Sequence, residues 1–212
     1  MISVILLMAG SSTRMQNNQN KLFLPLGNKM VFEHALDKFL EYDFEVICVT
    51  KEEYQKYLTK YKNVKIVYGG KTRQESVYNG LKEVSNDYVF IHDAARPFIY
   101  NNIINECLKA YNEGKAFIVG RASTDSVYML NPFKSINRNE ILLAQTPQGA
   151  KLSELLEVHK IAKSKNEEFT DDISMIIKYG TSEVKIIDGG VKNFKITTQL
   201  DYIMAKEIVK NV

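Results

Sequence analysis

Short apolar runs alternate along this chain with stretches of helical periodicity. Residues 3–8, 45–50, 64–68, 88–92, 116–120 and 184–188 form compact apolar runs of single-strand length. Between them, residues 31–40, 52–61, 74–84 and 103–113 read as helices, with Ala35, Phe39 and Leu40 on one apolar face and Val77, Leu81 and Val84 on another. The first strand, with Val4-Ile5-Leu6-Leu7, is continuously apolar, which suits a strand covered on both faces. The alternation predicts an α/β fold, a doubly wound and mostly parallel Rossmann-like sheet, in one domain over residues 1–212. Ligands of such sheets bind outside the carboxyl ends of the strands, so the residues after each run are where chemistry is expected.

The pattern breaks between about residues 121 and 144, where a proline, several asparagines and short apolar pieces lack helical periodicity. A β-hairpin arm projecting from the sheet fits this segment. Its Val127, Tyr128, Met129 and Leu130 would be exposed on a lone monomer, which predicts a partner chain and a homodimer. An internal antiparallel edge hairpin is the other reading. No long linker, low-complexity tract or repeat interrupts the rest.

Composition narrows the function classes. A chain of 212 residues supports one domain with a substantial core. The net charge of +3 is too small to imply nucleic acid or an anionic membrane. Cys48 and Cys107 have no neighbour at CxxC spacing and read as reduced core residues. The first apolar run is far too short to span a bilayer and follows no basic region, so a cytoplasmic protein is expected.

Three segments that follow predicted strands carry candidate chemistry. After the first strand, Met8-Ala9-Gly10-Ser11-Ser12-Thr13 offers backbone N–H groups with little side-chain bulk, and Arg14 and Lys21 follow. Such a loop can approach a polyphosphate closely, although an ordinary polar loop reads equally from these residues. After the third strand, Gly69-Gly70-Lys71-Thr72-Arg73-Gln74-Glu75-Ser76 opens a helix. Its glycines permit positive φ or close backbone approach, and Arg73 and Ser76 lie one turn apart. Capping by Thr72, with Glu75 completing a capping box, explains the same letters and is compatible with that role. After the fourth strand comes His92-Asp93-Ala94-Ala95-Arg96-Pro97. Asp93 could hold Mg²⁺, which takes few protein oxygens, or could merely cap the turn and pair with Arg96. Ala94 and Ala95 leave room for a ring or a ribose, and Arg96 can fork onto a phosphate.

Thr146-Pro147-Gln148 follows the arm, Thr170-Asp171-Asp172 resembles a helix start, and Lys195 comes after the Gly189-Gly190 turn, from which it could return to the first loop. GxGxxG and GxxxxGK[ST] are both missing, which weakens dinucleotide binding and a P-loop. His34, His92 and His159 lack metal-ligand spacing. Cations, backbone and one carboxylate remain, a set suited to transfer at phosphorus.

Taken in order, the blocks MAGSSTRM with Lys21, GGKTRQESVYNGL, HDAARP, TPQ, TDD and NFKIT resemble the 2-C-methyl-D-erythritol 4-phosphate cytidylyltransferase family. That family's pattern runs AAGxGxRM–K, GGxxRxxSVxxGL, HDAARP, TPQ, TD[DE] and NxKIT. Ala95 and Ser76-Val77 favour it over the related ribitol 5-phosphate cytidylyltransferases, which typically read HDAVRP and Thr-Ile. The chain departs from the pattern at Met8 and Ser12, where Ala and Gly are usual, at Ala150, where an aromatic is usual, and at Ser126, where Thr is common.

The resemblance implies a nucleotidyltransferase fold with CTP and a sugar-alcohol phosphate as substrates and Mg²⁺ on Asp93. It implies Arg14, Lys21 and Lys195 as the catalytic cations. Met8, Ala9, Gly10, Ser11, Ser12, Gly70, Arg73, Ser76, Asp93 and Ala94 should form the nucleotide site. Arg96, Ser126, Arg138, Thr146, Thr170 and Lys195 should hold the alcohol phosphate, Arg138 through the arm of a neighbouring subunit. A non-catalytic nucleotide-binding protein and a nicotinamide-dependent reductase are the readings from other classes.

Overall fold

A computed structural model of the chain describes residues 1–10 and 20–210. The chain begins with β1 (Ile2–Leu7), a small hairpin of β2 (Pro25–Leu26) and β3 (Lys29–Met30), α1 (Val31–Leu40) and β4 (Glu45–Thr50). It continues through β5 (Val64–Tyr68), α2 (Arg73–Leu81), β6 (Tyr88–Asp93), α3 (Asn101–Asn112) and β7 (Ala116–Ala122). An outlying hairpin of β8 (Val127–Leu130) and β9 (Phe133–Ile136) precedes β10 (Leu142–Lys151). The remainder is α4 (Leu152–Ser164), α5 (Asp172–Tyr179), β11 (Val184–Asp188) and α6 (Gln199–Lys210).

The main sheet has seven strands in the order β11–β7–β10–β6–β1–β4–β5. β10 is antiparallel to both of its neighbours, while the other pairings are parallel. Layers of side chains on both faces explain the uninterrupted apolar runs. Val4 and Leu6 face a cluster with Phe32 and Phe39 of α1 and Ile104 of α3. Ile5 faces the other way, with Val77 of α2, Leu155 of α4 and Ile173 of α5. Cys48 and Cys107 are free and buried, and burial pushes both thiols up, out of the reactive range. No helix among the described residues is long and apolar enough to cross a membrane.

The predicted mostly parallel sheet is present, and the predicted bounds of β4, β5, β11 and α1 coincide with those observed. Two elements differ. The helix expected over residues 52–61 is a 3-10 helix, Glu52–Tyr57, with no fully buried residue and hence no apolar stripe to extend it. No strand is expected over residues 142–151, yet β10 lies there between β7 and β6, although it carries a proline, which is rare in a central strand. Its register against β7 shifts between Ala144 and Gln148, so Pro147 sits where no ladder bond is required of it.

The arm is real, and its base is longer than its pattern suggests. β7 and β10 stay paired from Gly120–Ala144 out to Ala122–Leu142, and β8 and β9 form the tip. Tyr128 stacks on Phe133 with ring centroids 5.3 Å apart. Leu130 and Phe133 are 84% and 76% exposed, far more than a core or edge hairpin leaves, whereas Val127 is half-buried.

Candidate active site

The carboxyl ends of β1, β4, β5 and β6 border a cavity of about 590 Å³. Ala9, Gly10, Lys21, Gly70, Arg73, Ser76, Asp93 and Lys195 line it, so residues from five separate stretches of sequence meet there. Lys21 stands on a short 3-10 turn, Lys21–Phe23, capped by the Asn20 side chain, which accepts from Leu22 N–H at 3.1 Å. Leu22 is buried below, and Phe23 stacks on Tyr57 with centroids 4.1 Å apart, so the turn is anchored from both sides. Ser11, Ser12 and Arg14 lie outside the described residues.

The segment after β5 is shaped by close approach. Gly69 and Gly70 do not adopt positive φ. A Cβ on Gly69 would meet the Ala9 methyl at 2.6 Å, and one on Gly70 the Glu75 Cβ at 2.4 Å. The two loops therefore touch only because Gly69 lacks a side chain, and Gly70 lets its own loop fold closely onto Glu75. Thr72 caps α2 by accepting from Glu75 N–H at 3.1 Å, while the Glu75 carboxylate accepts from Lys71 N–H at 2.7 Å. Ser76 accepts from Gly70 N–H at 3.0 Å and donates to the Thr72 carbonyl at 2.9 Å, tying loop to helix.

Asp93, at the end of β6, is the charge centre. Lys195 Nζ lies 3.0 Å from its carboxylate, Arg73 Nε 3.6 Å and Arg96 Nε 3.7 Å. Burial alone would raise its pKa, but Lys195, Arg73 and Arg96 overrule that and hold it well below the usual carboxylate range. Its backbone N–H donates to Thr146 Oγ1 at 3.0 Å. His92 Nε2–H donates to the Arg96 carbonyl at 3.1 Å, which leaves Nδ1 to accept from the Thr146 hydroxyl at 3.0 Å. Burial lowers the His92 pKa to about 4, so the ring is neutral and acts as a spacer under the site.

Several expected contact residues have other duties. Met8 and Ala94 are fully buried below the cavity, where their neighbours Leu7, Ala9 and Ala95 form the lining. Arg96 turns inward and donates from Nη1 to the Asn193 carbonyl at 2.9 Å, so it braces Asp93 and does not reach into the cavity. Thr146 is buried and spends its hydroxyl on Asp93 and His92. Ser126, Arg138 and Thr170 are exposed and away from the cavity lining, with Arg138 donating to the Thr124 carbonyl at 2.9 Å. On a single chain these three are not brought to Asp93.

The sequence of this site matches one known family along almost its whole length. The model of 2-C-methyl-D-erythritol 4-phosphate cytidylyltransferase covers residues 2–211. The chain belongs to the 2-C-methyl-D-erythritol 4-phosphate cytidylyltransferase family. The enzyme of that name from Clostridioides difficile strain 630 is 38% identical, covering 99% of this chain and 94% of the relative. That of Clostridium botulinum strain Loch Maree is 37% identical, covering 99% and 98%. The fold also superposes on the crystal structure of 4-diphosphocytidyl-2C-methyl-D-erythritol synthase from Anaerococcus prevotii, with a TM-score of 0.87, 27% identity and coverage of 99% and 96%. For the Thermus thermophilus cytidylyltransferase the TM-score is 0.85, at 27% identity and 98% of both chains.

Within the cytidylyltransferase family's signature blocks, sequence reasoning missed the use of TPQ and TDD. Gln148 Oε1 accepts from Asp172 N–H at 2.9 Å and Ile173 N–H at 3.2 Å, so a β10 side chain caps α5. Asp172, 1% exposed, then reaches Arg73 Nη2 at 2.8 Å. An acidic residue beside a helix start reads as a cap, and only the fold shows that it faces an arginine ninety-nine positions away. Lys51 and Lys71 also line the cavity; Lys51 belongs to no signature block, and Lys71 fills a variable position of GGxxRxxSVxxGL. Ala150, the departure from an aromatic, is fully buried in the same core face as Ile5 and Ile91.

Proposed function

We propose that this chain joins CTP to 2-C-methyl-D-erythritol 4-phosphate, forming the CDP-alcohol and pyrophosphate in non-mevalonate isoprenoid precursor synthesis. The observation that carries the reading is the convergence of Lys21, Arg73, Lys195 and Asp93 on one cavity, in a member of this family. An oxygen of the phosphate monoester attacks the α-phosphorus of CTP. The bond from that phosphorus to the bridging oxygen breaks, and pyrophosphate leaves with its electron pair. The attacking monoester has a second pKa of about 6, so its oxygen is already nucleophilic at neutral pH and no general base is needed. The obstacle is charge: two polyanions must meet, and negative charge builds at the α-phosphate. Lys21 and Lys195 face the cavity to stabilise that charge, with Arg14 as the expected third cation. The lining at Ala9, Gly10, Gly70 and Ser76 leaves room for the nucleotide, and fixing both reactants in line supplies the rest.

Asp93 fits Mg²⁺. It is the one carboxylate among the described residues lining the cavity, and no group of three or more metal-ligating side chains occurs among the described residues. A single carboxylate suits an ion that takes its other ligands from phosphates and water. When bound, Mg²⁺ neutralises charge on the triphosphate. The arm, with Leu130 and Phe133 exposed, supports a homodimer in which Ser126 and Arg138 complete the alcohol-phosphate site of the neighbouring subunit.

The test is pyrophosphate release by the purified chain from CTP with either methylerythritol phosphate or ribitol 5-phosphate. Turnover is expected with methylerythritol phosphate. Lys21→Ala and Lys195→Ala are each expected to lower kcat roughly 100-fold or more. Turnover of ribitol 5-phosphate alone would overturn the choice of alcohol.

A further inference from the structure

Asp172 and His159 form a buried polar pair that the transfer chemistry does not use. Both side chains are 1% exposed. Asp172 sits in the first turn of α5 and His159 in α4, on the side of α2 away from the cavity. His159 Nε2 is 3.6 Å from Asp172 Oδ1, and the Tyr78 ring lies against the imidazole with centroids 5.9 Å apart. The other carboxylate oxygen faces Arg73 Nη2 at 2.8 Å, while Arg73 Nε is 3.6 Å from Asp93. One guanidinium therefore spans two carboxylates, one sealed in the core and one facing the cavity.

This arrangement has a physical consequence. A buried carboxylate is costly unless a cation compensates it, and Arg73 is the close cation here. Arg73 is thus held by an anchor that no substrate can displace. Asp93 also contacts Lys195 and Arg96, so a guanidinium lacking its core anchor would shift its whole charge onto Asp93. It would then occupy the carboxylate instead of presenting its cavity-facing edge to a ligand. His159 Nε2 faces the second oxygen of Asp172 at 3.6 Å, longer than a hydrogen bond, and is the polar group set against that side of the carboxylate.

We propose that Asp172, backed by His159, is a positioning residue for nucleotide binding, acting through Arg73. The inference rests on the cavity being the CTP site, and it makes α4 and α5 part of that site although neither supplies a side chain to its lining.

CTP binding by calorimetry and steady-state kinetics test it, in wild type, Asp172→Asn, His159→Leu and His159→Gln. Asp172→Asn keeps the shape and removes the charge. It is expected to raise the Kd and KM for CTP about tenfold or more, with the KM for methylerythritol phosphate within about twofold of wild type. His159→Leu should weaken CTP binding in the same direction. His159→Gln, which restores a donor near the Nε2 position, should recover most of the loss. A general structural defect would lower the folded fraction or both affinities together. Wild-type CTP affinity in folded Asp172→Asn, or equal rises in both KM values, would overturn the proposal. Should Asp172→Asn not fold, the two His159 variants decide it: equal CTP affinities for Leu and Gln reject the positioning role. If wild type itself binds no CTP, the nucleotide-site reading fails, and that outcome is distinct from the others.

Discussion

His92 shows how a residue in a signature block can serve the site without touching it. Its side chain is fully buried, both ring nitrogens are engaged, and its pKa falls from the ordinary 6.5 to about 4. Between those values the unfolded chain takes up a proton that the folded ring refuses, so stability falls as pH drops from 6.5 toward 4 and is flat above. The full effect is about 3 kcal/mol. Urea unfolding across this range should show the slope in wild type and a flatter profile in His92→Gln. Identical profiles would contradict the assignment. Asp93 and Asp172, both held below their ordinary 3.8, lose their contribution at lower pH, while Glu33, Glu45 and Glu154, held below their ordinary 4.5, begin to lose theirs near that value, so the His92 slope is read in the upper part of the window and by difference from His92→Gln. From its letters alone, HDAARP offers a histidine, a carboxylate and an arginine of equal standing. Burial ranks them: Asp93 lines the cavity, while His92 and Arg96 brace it.

β10 is the element that sequence pattern served least well and the site depends on most. Pattern reading works for β1, β4 and β6 because strands covered on both faces must be apolar throughout. β10 is also covered on both faces, yet it carries Gln145, Thr146 and Gln148, since its polar groups bond inward to Gly190, Asp93 and α5. Gly149 is set by the same packing. A Cβ there would lie 2.4 Å from the Phe117 ring and 3.0 Å from the Val89 carbonyl. Gly149→Ala is therefore expected to destabilise the protein by about 1–3 kcal/mol through overpacking. A lowered urea midpoint with unchanged m-value is the expected record. An unchanged midpoint would mean that Phe117 can move aside.

At the scale of the whole molecule, the arm carries the decisive test of assembly. Leu130→Asp with Phe133→Asp places charge on its two most exposed apolar side chains. Wild type is expected to sediment as a dimer and the double variant as a monomer, with turnover at least tenfold slower if Arg138 and Ser126 act across the interface. A wild-type monomer with full activity would remove the arm from the mechanism. The sequence by itself determined the α/β class, the strand ends where chemistry gathers, the projecting arm and the family. Those features follow from local periodicity and from ordered blocks of letters. The tertiary structure alone decided that TPQ lies within a central antiparallel strand, that Arg96 and Thr146 face inward, and that Asp172 anchors Arg73. The reason is long-range contact. Asp93 meets Lys195 from one hundred and two positions away, and a carboxylate's role is fixed by which cations the fold delivers to it.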